Sequence, residues 1–245
     1  MGVVMHQDQY YSDYTDRAEY VEQQEYKIQQ ECPDLSTDAH DSVDMSVPPR
    51  VLTSPVTYQG AVFNVEDRFI KLTAVDGSAL TIRRQVMVHN PCVVMLVHDC
   101  THDTYLVERE YRVGPHAYVF GLPAGIMEDG ELPHRAALRE LREETGIVAD
   151  TSMPLGDSIY IDDVVQTYSS EGMSNEIANI MVIHLQHWST TTRKPDTDEH
   201  VHSGWVSWQQ LNDIGIVSSN ATIAILHEKL HRLTDAAHYR VNAYD

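Results

Sequence analysis

Apolar and polar positions alternate along the middle of the chain in two different rhythms. Val56 to Phe63 and Phe69 to Ala74 carry the two-residue period of strands that bury one face. Asp76-Gly77 then reads as a tight turn, leading into a strand over Ala79 to Arg83. Cys92 to Val97 is apolar without interruption, which predicts a central strand covered on both sides, and Tyr105 to Glu110 alternates as its partner. Further strands are predicted at Ile159 to Asp162, Ile177 to Leu185 and Trp205 to Ser207.

The helical rhythm appears between Pro133 and Gly146. Proline is tolerated in a first turn, and glycine ends a helix in a left-handed cap. Ala137 and Leu141 are its expected buried stripe. Two more helices are predicted near the C-terminal side, Trp208 to Asn212 and Thr222 to Leu233, with Ile223 and Leu226 to Leu230 on the buried side of the latter. Mixed strands with helices on both faces predict an α/β (α+β) sandwich.

Residues 1–49 differ in character. They hold eleven acids against Arg17 and Lys27, are rich in tyrosine, and end in Pro48-Pro49. A helix over Asp16 to Glu31 would have too few apolar residues for a deep core face. We expect a flexible or loosely docked acidic extension, with a regulatory or partner-binding role as the alternative to a passive tail. A strand region over 50–84 and a main domain over 85–245 would follow it.

The formal net charge of −20 argues against nucleic acid as a partner, because phosphate backbones require basic surface. Cys32, Cys92 and Cys100 show neither paired spacing nor a metal pattern, which suits a reducing, cytoplasmic setting. The start MGVVMHQDQ has no basic stretch and no apolar run, so no signal peptide is expected. His6 stands where a myristoylation signal would have Ser or Thr. No apolar stretch has membrane-spanning length, and a soluble protein is expected.

The chemistry concentrates in GIMEDGELPHRAALRELREETGI, from Gly125 to Ile147. Glu140 and Glu144 are four apart, and Glu143 lies between them. On a helix these carboxylates crowd one side, which is unfavourable unless something positive sits among them. A hard divalent cation fits, because it takes oxygen ligands and leaves positions open for substrate phosphates. The segment matches G-x5-E-x7-R-E-U-x-E-E-x-G-U, with U aliphatic, at all nine specified positions: Gly125, Glu131, Arg139, Glu140, Leu141, Glu143, Glu144, Gly146 and Ile147. Chance would produce such a match in a chain of this length on the order of once in ten million.

This box resembles that of the Nudix hydrolases. Leu122-Pro123-Ala124-Gly125, Glu110-Tyr111-Arg112, Gly172-Met173-Ser174-Asn175-Glu176 and Asp198-Glu199-His200-Val201 are similar to segments of the ADP-ribose pyrophosphatase branch. Two departures stand out. Gly121 replaces the usual Glu before LPAG, and Glu171 replaces the Pro of SPG. The resemblance implies a Nudix fold, Mg²⁺ (with Mn²⁺ as an alternative), a homodimer whose N-terminal strands cross to the partner, and cleavage of a nucleoside diphosphate sugar such as ADP-ribose. Metal ligands would be Glu140, Glu144, the Ala124 carbonyl and, depending on metal count, Glu143. Glu199 matches the position of the general base, with Asp198, Asp196 and Glu143 in reserve. Arg139 would hold a glutamate and Glu131 would steady the loop, beside the structural glycines Gly125 and Gly146. Arg112, Arg84 and Glu176 match substrate contacts, and Tyr58, Tyr111 and Phe120 are candidate platforms for adenine. Another nucleotide substrate (NADH, a dinucleoside polyphosphate, GDP-mannose) and a sensor that binds ADP-ribose without cutting it are the alternatives.

One rival motif remains. His227-Glu228-Lys229-Leu230-His231 fits the zinc-protease pattern H-E-x-x-H. With 14 histidines in the chain it arises by chance in about one chain in twenty, and no convincing third ligand follows it. The structural reading is that of a terminal helix.

Overall fold

The computed structural model describes residues 43–150, 152, 154–194 and 200–241. Backbone contacts divide these into two units. The first joins the described residues up to Pro55 with Asp67–Arg84, and the second joins Val56–Glu66 with everything from Gln85 onward.

In the first unit, β1 (Arg50–Thr53) pairs antiparallel with β3 (Asn64–Thr73), which also pairs with β4 (Ala79–Val88). The turn between β3 and β4 is the one expected at Asp76-Gly77. Gly77 adopts φ +81°, and Ala74 and Ser78 close the turn by a backbone hydrogen bond of 2.8 Å. The acidic extension expected over 1–49 lies outside the described residues up to residue 42, and so does its Asp16–Glu31 helix. Of the remainder, Val43 bridges to Ala74, and the Asp44 N–H donates to the Thr73 carbonyl.

The second unit contains a short strand, β2 (Val56–Gln59), that pairs with the first residues of β3. Its main body is a seven-stranded sheet, ordered β10 (Ile159–Tyr168), β11 (Ile177–Leu185), β5 (Cys92–Asp99), β6 (Thr104–Arg112), β13 (His202–Ser207). Strand β7 (Ala117–Gly121) pairs with β6, and β8 (Ala124–Ile126) pairs with β5. The β11–β5 pair is parallel, while β10–β11, β5–β6, β5–β8, β6–β7 and β6–β13 are antiparallel. A smaller pair joins β9 (Ile147–Ala149) and β12 (Trp188–Thr190).

Strict alternation along the central strands decides which helix covers which face. Val93, Met95 and Val97 of β5, with Met181, Ile183 and Leu185 of β11, pack against Ala136, Ala137 and Leu141. Those last residues belong to α1 (Pro133–Glu140) and the turn that continues it. Val94 and Leu96, with Ile180 and Val182, face the opposite way. They meet Leu211 of α3 (Trp208–Asp213) and Ala221 and Ala224 of α4 (Ser219–Val241). A four-residue helix, α2 (Leu155–Ser158), precedes β10. The expected mixed sandwich is the observed architecture.

Two details differ from expectation. On α4 the buried residues are Ala221, Ala224 and Glu228, whereas Leu226 and Leu230 are exposed. Small alanines let the helix approach the sheet closely, and Glu228 is held by Tyr105 and Arg232. Strands β7 and β8 were not evident beforehand because Gly121-Leu122-Pro123 breaks their alternation.

Candidate active site

The box segment begins on β8, aligned on β5 by the Val94–Ala124 and Val93–Gly125 pairs. It crosses a loop and enters α1 with Pro133 in the first turn. After Glu140 the helix widens into a single π turn, Leu141–Thr145, and stops at Gly146. π turns inside α-helices recur at functional sites. Gly146 takes φ +77°, and its N–H donates to the Arg142 carbonyl at 2.9 Å. A side chain there would also collide with the Thr191 carbonyl. The expected glycine cap is therefore required twice over.

Arg139 organises the acids. Its Nε donates to Glu131 Oε1 at 2.9 Å and its Nη2 to Glu131 Oε2 at 2.8 Å. Nη1 donates to Glu140 Oε1 at 2.8 Å and to Glu143 Oε2 at 3.2 Å, while Nη2 also reaches the Ile126 carbonyl at 3.1 Å. The Arg139 hydrogen bond holds the Glu131 carboxyl below the usual carboxylate range. Glu131 closes its own loop, accepting from the Glu128 N–H at 3.0 Å. One guanidinium touches three carboxylates, so the group keeps excess negative charge.

The carboxylates are not a solvated face. Glu144 is 5% exposed and the Glu140 side chain 12%, whereas Glu143 is 41% exposed. Glu140 lies against Gly125, where a Cβ would overlap its carboxyl carbon. The glycine leaves the volume that the carboxylate occupies. Glu140, Glu143 and Glu144 thus offer hard oxygen donors beside partly buried negative charge, and this donor chemistry suits a divalent cation.

The far end of the π turn is tied to the chain that follows β12. The Lys194 N–H donates to the Glu143 carbonyl at 3.0 Å, and Arg193 Nε bonds to the Glu144 carbonyl. Arg193 Nη2 also reaches the Val201 carbonyl at 3.4 Å. Sequence reading assigns Arg193 no role; its signal is a basic pair, Arg193-Lys194, in a strongly acidic chain. Glu199, expected as the base, lies outside the described residues, as do Asp196 and Asp198.

Arg112 and Glu176 converge on Cys92. Burial, then the neighbouring Glu176, pushes the Cys92 thiol up to about 12, and Arg112 acts in the opposite sense. Arg112 also forms an ion pair with Glu110. Glu176 lies 3.2 Å from His89 Nδ1, and the preceding Asn175 accepts from the His89 N–H at 2.9 Å. Arg84 belongs to the first unit, where it is exposed and donates to the Arg83 carbonyl at 2.9 Å. The three aromatic candidates Tyr58, Tyr111 and Phe120 are exposed side chains rather than core. Departures Gly121 and Glu171 fall at the end of β7 and in the turn before β11.

The rival H-E-x-x-H helix is differently engaged. His227 Nε2 lies 2.7 Å from Asp162 Oδ2, and Glu228 is buried against Tyr105 and Arg232. These contacts give both residues structural partners away from one another.

Comparison with known proteins agrees with this geometry. Residues 88–225 match the NUDIX domain family. An ADP-ribose pyrophosphatase of Mycobacterium tuberculosis (strain ATCC 25618 / H37Rv) is 31% identical over 130 residues, 50% of this chain and 59% of that protein. An ADP-ribose pyrophosphatase of Bacillus subtilis (strain 168) is 27% identical over 119 residues, 49% of this chain and 59% of that one. The match thus spans under two thirds of either relative. The crystal structure of an ADP compounds hydrolase superposes with a TM-score of 0.55 at 19% identity, covering 76% of this chain and 95% of that one, a likeness of fold. The chain belongs to the Nudix family.

Proposed function

We propose that this chain hydrolyses the pyrophosphate bond of ADP-ribose, or of a related nucleoside diphosphate sugar, with Mg²⁺. The carrying observation is the Glu140 carboxylate lodged against Gly125, with Glu144 buried and Arg139 gripping three carboxylates. Water oxygen bonds to one phosphorus as the bridging P–O bond breaks, leaving AMP and ribose 5-phosphate. A divalent metal held there would neutralise the phosphate oxygens and lower the pKa of the attacking water.

The protein's own contribution is positioning and proton transfer. Glu140, Glu144 and the Ala124 carbonyl would hold the metal, with Glu143 as the exposed addition. Arg139 fixes the direction of Glu140. Glu199 takes the proton from water, on an acidic segment flanked by Lys194, bonded to the Glu143 carbonyl, and by Val201, bonded to Arg193. Arg112 and Glu176 are assigned to the sugar-phosphate side.

Exposed Val51, Leu52, Val56 and Tyr58 on β1 and β2 support a homodimer that covers these strands. No described helix is long and apolar enough to cross a membrane, and a cytoplasmic setting follows the cysteine usage. The test is a panel of nucleotide sugars, NADH, dinucleoside polyphosphates and GDP-mannose, assayed with Mg²⁺ and with Mn²⁺. We expect AMP release from ADP-ribose to lead. Tight binding of ADP-ribose without turnover would instead identify a sensor, and preference for another nucleotide would reassign the substrate.

A further inference from the structure

We propose that His98, Cys100 and His184 form a zinc site on the sheet face opposite the Nudix box. Parallel pairing of β11 with β5 sets His184 directly beside His98. Val97 points toward α1, so His98, one residue on, turns to the α4 side, where it stacks on Tyr105 at 4.6 Å. The Cys100 N–H donates to the Leu185 carbonyl at 3.0 Å, which folds the chain end back alongside both rings.

The distances match those that zinc imposes. His98 Nδ1 and His184 Nδ1 are 3.2 Å apart, Cys100 Sγ lies 3.8 Å from His98 Nδ1, and all three ligand atoms fall within 4.8 Å of one another. Tetrahedral zinc, with Zn–N about 2.05 Å and Zn–S about 2.3 Å, separates two nitrogens by about 3.3 Å and nitrogen from sulfur by about 3.6 Å. Two observed edges therefore lie close to what one ion would require.

An independent observation concerns the far side of His98. Its Nε2 is 3.0 Å from Asp103 Oδ1, and a carboxylate only accepts, so Nε2 carries the proton. With Nε2 engaged by Asp103, Nδ1 is the His98 ring nitrogen that faces the other two groups. Histidine ligands of zinc characteristically donate their second N–H to a carboxylate in this way. Arg232 holds Asp103 from behind. Burial favours the Cys100 thiol, so zinc binding would release that proton to solvent.

A thiolate with two imidazoles selects zinc over the hard cations suited to the oxygen-lined box. The fourth position is left to water or to His231 of α4, whose ring centroid is 6.3 Å from that of His184. This is not the H-E-x-x-H arrangement, because His227 is engaged by Asp162.

The probe is Co²⁺, titrated into the full chain with excess Mg²⁺ present. We expect one equivalent to produce a thiolate-to-cobalt charge-transfer band and the strong visible bands of four-coordinate cobalt, both displaced by Zn²⁺. Cys100→Ser should abolish the charge-transfer band. A Cys32→Ser, Cys92→Ser double variant, which leaves the three ligands intact, should keep it. Asp103→Asn should weaken binding roughly 10- to 100-fold through the loss of the carboxylate behind His98. Glu144→Gln should leave the spectrum unchanged. No charge-transfer band in the parent chain, its loss in the double variant, or its survival in Cys100→Ser would overturn the site.

Discussion

Gly125 leaves vacant the volume that the Glu140 carboxyl fills; a Cβ on Gly125 would overlap the Glu140 carboxyl carbon. The relationship ties a strand residue to a helix residue across a loop, and it gives the box glycine a steric reason. We expect Gly125→Ala to push Glu140 aside and lower turnover roughly 100-fold, the scale of a misplacement near 1 Å. Circular dichroism should still report a folded sheet. Turnover within twofold of the parent would show that Glu140 does not act from this position.

Glu144 is 5% exposed, and its replacement should remove catalysis while leaving the fold. Glu144→Gln keeps the shape and deletes one negative charge. We expect circular dichroism to report a folded chain, and turnover at saturating Mg²⁺ to fall about a thousandfold, the scale of several kcal/mol of metal stabilisation. Near-parental turnover would contradict its assignment as a ligand.

Arg139 spans Glu131, Glu140 and Glu143 with one planar fork. Lysine retains the charge but lacks the geometry to bridge them. Arg139→Lys should reduce stability by about 2 kcal/mol, in the range of lost charged hydrogen bonds, and should cut activity as well. Urea unfolding beside steady-state kinetics would check both. An unchanged midpoint would remove the bridging role.

In the first unit, Arg83 Nε donates to Asp67 Oδ1 at 2.7 Å and Oδ2 at 2.9 Å, and these bonds hold the Asp67 carboxyl below its usual range. The unfolded chain therefore binds protons at higher pH than the folded chain does. The stabilisation is full above the ordinary carboxylate range and disappears as pH falls through the lowered folded value. Asp67→Asn should be least stable, relative to the parent, near about pH 7, and the gap should close toward about pH 3. A gap independent of pH would disconnect this ion pair from acid sensitivity.

Several elements were legible in advance because their signals are local. The continuous apolar run at Cys92 to Val97 became the central strand, and Pro133 and Gly146 bounded the box helix. The widened turn at Leu141–Thr145 was not legible, since its residues are ordinary helix formers. The buried side of α4 was misjudged for a related reason. Leucines mark an apolar face, but Ala221 and Ala224 allowed closer packing and Glu228 found partners from β6 and its own helix.

By itself, the order of residues determined the family, the layered fold class and the glutamates that can share a cation. Those properties depend on spacing within one element, where backbone geometry alone decides which side chains are neighbours. Only the tertiary structure decided that Glu144 is buried, that Arg139 binds three acids, and that Cys100 lies with His98 and His184. Those depend on the register of β11 against β5 and on how the box helix meets β8, contacts between residues far apart in the chain. Cysteine spacing showed no metal pattern because the histidine beside it comes from another strand, 84 positions further along.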